Sequence, residues 1–210
     1  VYAQEPLPTV VKKSIFLAGP TPRSKDVQSW RPGAIWLLEQ LGFDGHVFSP
    51  EDRDGNFNGE YDHQVEWETA ALNMADVIVF WVPREIETMP AFTTNIEWGM
   101  WADSGKVVFG APKWAKKNSY LKWQCGKFKL PMHTRLEDTL RAAVYKVGTG
   151  SFRYGAETMI PLHVWQHPTF QGWYKTQKEV GNRLEWARVL WTYPQKDQLF
   201  CWVLRVTLHI

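Results

Sequence analysis

Cysteine is scarce: Cys125 and Cys201 are the only two, far apart and in no C-x-x-C spacing. That argues against a disulfide-stapled fold or a redox dithiol and fits a reducing compartment, so the cytoplasm is the expected location. Long apolar runs are missing as well. A bilayer crossing takes about 20 consecutive apolar residues, and without them no membrane partner is expected. Nor is there an excess of one charge, with 24 Lys and Arg against 22 Asp and Glu and a formal net charge of +2. Over the whole chain that balance offers no stripe to hold a phosphate backbone, and nucleic acid is not an expected partner. The 6 histidines form no H-E-x-x-H or clustered spacing, so neither metal nor cofactor is expected. Walker loops, G-x-G-x-x-G turns and nucleophile elbows are also absent from the sequence, and with them the sequence signals for P-loop, dinucleotide and serine-hydrolase chemistry.

What the chain has in excess is tryptophan, 13 residues among 15% aromatics. Most are expected in the core and at a subunit interface; a pocket that stacks a flat ring is the sharper alternative. At 210 residues one core of ordinary size with a small appendage is expected. Four short runs, each β-branched or aromatic and ending at Gly or Pro, read as buried strands: "SIFLAG" (14–19), "GHVFSP" (45–50), "DVIVFWVP" (76–83) and "KVVFGAP" (106–112). Helical stretches follow at 29–42, 61–75, 93–105 and 134–148. Alternating strand and helix predicts an α/β, doubly wound parallel sheet, with strands at 14–18, 45–48, 77–82 and 106–110. Ligands of such sheets bind beyond the carboxyl ends of the strands.

Three segments after strand ends carry candidate residues. In "AGPTPRS" (18–24), a turn at Gly19 and Pro20 with Arg23 beyond it has backbone amides that can cradle an anion. The acidic, Gly/Asn-rich "SPEDRDGNFNGEYDH" (49–63), with Asp52 and Arg53, is long enough for a flap over a substrate. Trp81, late in the third strand, joins these as a substrate-binding candidate. Within 61–75, Val65, Glu68 and Leu72 share one helical face, and Glu66 points the other way. In the next helix Thr93, Glu97, Met100 or Trp101, and Ser104 line one stripe, with Glu97 close enough to the N-terminus for the helix dipole to hold it ionised. Glu97 as a plain dipole partner is the structural alternative. Two carboxylates meeting at one mouth are the equipment for cleaving a glycosidic bond: one attacks or steadies an oxocarbenium-like carbon, the other group manages a proton on the leaving group.

"SIFLAGP", "EWETAALNMADVIVFWVP" and "TTNIEWGMWADSGKVVFGAP" together resemble, in order and spacing, the nucleoside 2-deoxyribosyltransferase-like family over roughly 13–123. The most specific part is N-x-E-x-G-x5-G-K, from Asn95 to Lys106. The resemblance implies a flavodoxin-like or Rossmann-like fold, a small-molecule nucleoside or nucleotide substrate, and Glu97 as nucleophile on C1′ of a deoxyribosyl group. It also implies an acid near the base, where Glu68 falls. Phe16 stands where well-studied transferases carry a nucleophile-orienting Tyr, and Ala91 replaces an acid often found six positions before the nucleophile. Related hydrolases of nucleoside monophosphates place a PGG-x-GT-x-x-E turn at the point where this chain has "PAFTTNIE", so Thr93, Thr94 and Asn95 become hydroxyl or phosphate ligands by analogy. Transfer between bases, N-glycoside hydrolysis, and a nucleotide sensor or interaction module without turnover all stay open.

From about residue 150 the character changes, and the chain is divided into a 1–150 α/β domain and a 151–210 extension. "FQGWYKTQKEVGNR" (170–183) reads as a helix, and 184–210 as a hairpin around "PQKDQ". Such a hairpin needs pairing, and with the tryptophan-rich faces it predicts a homo-oligomer. The tail also resembles the segment before a NUDIX hydrolase domain in fusion proteins, although no G-x5-E-x7-R-E-x-x-E-E box follows. On that resemblance the chain is a fragment.

Overall fold

The computed structural model describes residues 1–24, 26–53, 61–150 and 153–154. The strands are β1 (Val10–Val11), β2 (Ser14–Ala18), β3 (His46–Phe48), β4 (Val77–Trp81), β5 (Val107–Gly110), β6 (Met132–His133) and β7 (Arg153–Tyr154). The helices are α1 (Arg31–Gln40), α2 (Tyr61–Met74), α3 (Phe92–Trp101), α4 (Ser119–Lys127) and α5 (Leu136–Val147). One sheet runs β3-β2-β4-β5-β6 with every pairing parallel, and β1 pairs antiparallel with β7 apart from it. This is a doubly wound, flavodoxin-like α/β fold, and all four expected strands lie in it side by side.

Apart from Ser14 at the start of β2, the inner strands carry no polar side chain, because helices cover both of their faces. Phe16, Phe80 and Phe109 point to the side packed by α2, α3 and α4, while Ile15, Leu17, Val79 and Val108 meet α1 and α5. Trp98 of α3 sits at the centre of the first layer. Its ring meets Phe80 and Phe109 edge-on, each with centroids 5.1 Å apart, and its Nε1 donates to Gln124 of α4.

Two helix faces differ from the sequence expectation. α2 packs through Gln64, Trp67, Ala71, Leu72 and Met74, and Val65 is exposed. Burying the Trp67 ring removes more apolar surface than burying Val65, and its Nε1 finds a buried-side acceptor in the Glu5 carbonyl at 2.8 Å. α3 packs through Thr94, Trp98 and Trp101, which turns Thr93 and Met100 to solvent. Tryptophan also divides: Trp67, Trp81, Trp98 and Trp101 are core, whereas Trp36, Trp114 and Trp123 are exposed.

α4 and β6 are additional elements that the sequence reading did not name. The expected helix at 170–183 and hairpin at 184–210 lie outside the described residues. We propose the division near residue 150; β7, the described part beyond it, pairs with β1 in the register Val10 to Tyr154.

Candidate active site

β2 and β4 are neighbours in the sheet, yet the chain leaves them in opposite directions, through α1 to β3 and through α3 to β5. Beyond their carboxyl ends a crevice therefore opens. Gly19 closes the floor of it. Its φ is +151°, and a Cβ there would stand 2.2 Å from the Trp81 carbonyl and 2.9 Å from the Trp30 ring. A backbone carbonyl in a central strand cannot yield, so Gly19→Ala is expected to cost about 3 kcal/mol of stability, read as a lower urea midpoint at unchanged slope.

Arg31, the first residue of α1, is 1% exposed. Its guanidinium donates to the carbonyls of Leu17 at 3.1 Å and Gly19 at 2.7 Å, to Thr21 Oγ1 at 3.1 Å and to Glu51 Oε1 at 2.5 Å. Glu51 Oε2 accepts from Ser29 at 2.6 Å, and the Trp30 Nε1 donates to the Pro20 carbonyl at 3.1 Å. One buried cation thus fastens the loop after β2 to the loop after β3. A buried charge is tolerated when it is paired and its donors are used, and both conditions hold here.

Two further carboxylates lie in the field of this cation. Glu68 of α2 accepts at Oε1 from Gln64 Nε2 at 2.7 Å, and the same amide nitrogen donates to the Pro50 carbonyl at 3.1 Å. Burial raises the Glu68 pKa, against the Gln64 hydrogen bond and the Arg31 charge, which lower it. Glu97 is pushed up to about 8, first by burial and then by the charge of Glu68, with Arg31 again opposing. Glu68, Glu97 and Arg31 therefore lie in one another's fields. The expected dipole stabilisation of Glu97 is corrected by its place in α3: it lies in the second turn, past the N–H groups that carry the dipole's positive end. The residue before the helix, Ala91, lies in the left-handed region, φ 62°, and provides no side-chain cap.

Residues 12–114 match the nucleoside 2-deoxyribosyltransferase-like family. No curated protein matches the chain. The matched segment spans β2 to β5 and so contains Arg31, Glu51, Glu68 and Glu97.

The other candidate residues fall in several different surroundings. The carbonyls of Gly19 and Pro20 are turned to Arg31 and Trp30. Arg23 is exposed with its guanidinium 5.1 Å from the Phe92 ring centre, and its backbone N–H donates to the Thr88 carbonyl at 2.9 Å. Asp52 is half-buried on the loop after β3. Arg53 pairs with Glu5 at 2.7 Å and lies over the Tyr2 ring, on the N-terminal segment. Trp81 is buried, its ring among the side chains packed by α1 and α5. In the first turns of α3, Thr94 is buried, Thr93 is exposed, and Asn95 Oδ1 accepts from Arg84 Nη2 at 2.5 Å. Phe16 lies wholly in the core.

Sequence reasoning missed Arg31, Glu51, Gln64 and Arg84. A signal existed for the first: an Arg in "SWRPG", at the start of the first helix after a buried strand, is placed to reach back to that strand's end.

Proposed function

We propose that the domain cleaves or transfers at the N-glycosidic bond of a nucleoside or nucleotide. The single observation that carries this reading is the carboxylate pair, Glu68 and Glu97, sharing one field beside buried Arg31 at the sheet mouth of a family whose description is nucleoside 2-deoxyribosyltransferase like. In the proposed first step a Glu97 carboxylate oxygen bonds to C1′ as the C1′–N bond breaks. The bond's electron pair leaves with the base, and Glu68, whose pKa burial raises, passes a proton from water to the base nitrogen. Water or a second base then attacks C1′ of the sugar ester and frees Glu97.

Incubation with a panel of deoxynucleosides and their monophosphates, followed by chromatography for free base, tests the reaction. The pH dependence tests the roles. A nucleophilic Glu97 must be ionised, so the rate is expected to rise with pH through about 8. Glu68→Gln removes the like charge and should move that rising limb to lower pH. A rate that instead falls through the same range would make Glu97 the proton donor. A second reading, nucleotide binding without turnover, is favoured by Phe16, which has no hydroxyl to orient a nucleophile; ligand-induced thermal stabilisation with no free base would establish it.

A further inference from the structure

The even charge of the whole chain hides a one-signed stretch. Between Asp103 and Glu137 there is no acidic residue, and the same stretch holds seven lysines and Arg135, which leaves 16 of the 24 basic residues to face all 22 acidic ones elsewhere. Folding buries Lys106 and gathers much of the rest on α4 and the loop that leads into it. Leu121 and Cys125 turn inward, so Tyr120, Trp123 and Lys127 form one outward stripe at i, i+3 and i+7.

The rings on α4 and on the loop before it are open. Trp114, Tyr120 and Trp123 are 60%, 69% and 63% exposed, and Tyr120 stacks on Trp123 with centroids 6.2 Å apart and planes 25° from parallel. Lys113, Lys122 and Lys127 make no ion pair among the described residues; Lys116 alone in this group is paired, to Glu85 at 2.6 Å. Large exposed aromatics set among lysines that form no ion pair with the described residues mark a surface that meets something flat and anionic.

We propose that this face of α4, together with the loop before it, docks single-stranded nucleic acid, with bases stacking on Trp114, Tyr120 and Trp123 and phosphates held by Lys113, Lys122 and Lys127. An anionic bilayer fits less well. A helix lying in a membrane surface needs a broad apolar face to sink, and the other outward residues of α4 are Ser119, Lys122, Gly126 and Lys127. The earlier expectation of no nucleic-acid partner came from the chain-wide balance, which averages away this local charge. α4 also packs beside α3 through Gln124 and Trp98, the residue after Glu97. On the reading of the site above, the docking helix packs against the helix that carries the nucleophile; the docking itself does not depend on that reading.

Fluorescence anisotropy of a labelled thymidine 15-mer with the full chain tests this. Binding is expected to weaken with salt, with a log–log slope of about −2 for three lysine–phosphate contacts. Trp123→Ala should weaken it about tenfold, and the double variant Lys122→Glu, Lys127→Glu should remove it at about 0.15 M salt. Both changes are on the surface, so circular dichroism should be unaltered. No binding at low salt, equal binding of a duplex, binding indifferent to these variants, or stronger binding to phosphatidylserine vesicles than to the strand would each overturn the proposal. Strand binding by a chain that releases no base from any nucleoside would leave the docking face standing and count against the active-site reading alone.

Discussion

Glu97→Gln is expected to slow glycosidic cleavage by three or more powers of ten and, at the same time, to make the fold more stable at pH 8. The amide keeps the shape of the side chain but cannot attack C1′. The gain in stability follows from linkage. The folded chain holds the Glu97 proton up to about pH 8, whereas the unfolded chain releases it near 4.5. Between those values the folded state binds more protons, so stability falls as pH rises through the window. Gln carries no such charge and escapes that loss. Thermal midpoints of both proteins at pH 5 and pH 8 check it: wild type should lose stability relative to Glu97→Gln on going up. Retained activity in the variant would remove Glu97 from the chemistry, and a variant less stable at pH 8 would mean that the carboxylate contributes to folding instead.

Arg31→Met should cost about 3 to 5 kcal/mol, the largest stability loss expected from any one side chain at the mouth. Met fills much of the volume, but Glu51 is left with a charge on the buried side, and the carbonyls of Leu17 and Gly19 lose their donors. Arg31→Lys keeps the charge but cannot reproduce the fork that reaches both loops at once, so an intermediate loss is expected. The lysine variant also separates a structural part from an electrostatic one. Arg31 lowers the pKa of both carboxylates. If it folds, Arg31→Lys should leave the pH–rate limb near its original place, whereas any folded neutral variant should move it upward. Guanidinium chloride titrations and pH profiles together decide between the parts.

The strands were legible because burial on both faces leaves uninterrupted runs such as "DVIVFWVP", which no surface element would carry. The carboxylates were legible for the opposite reason, as ionisable groups among apolar neighbours. Helix faces were less so. In α2 the packed side includes Gln64, whose amide serves Pro50 and Glu68, and a polar residue used in that way reads as solvent in a periodicity argument. α4 escaped because its outward face carries aromatics, so apolar residues fall all around it and no inward stripe stands out. β6 pairs through only two residues at the sheet's edge, too short to leave a pattern. Arg31 was hidden by the convention that an arginine at a helix start is solvated; only the tertiary approach of five oxygen acceptors makes its burial tolerable.

β4 has a neighbour on either side, β2 and β5, and Val77–Phe80 are shut off from water completely. Their amides are sealed against deuterium unless the sheet itself comes apart, since no local fraying can reach the middle strand before its neighbours. The deuterium uptake of Ile78, Val79 and Phe80 is therefore a clock for opening of the whole molecule. Amides on the loops around Gly19 and Glu51 report only the breathing of the mouth. The interval between the two clocks measures how far the entrance can loosen for a substrate while the frame behind it stays closed.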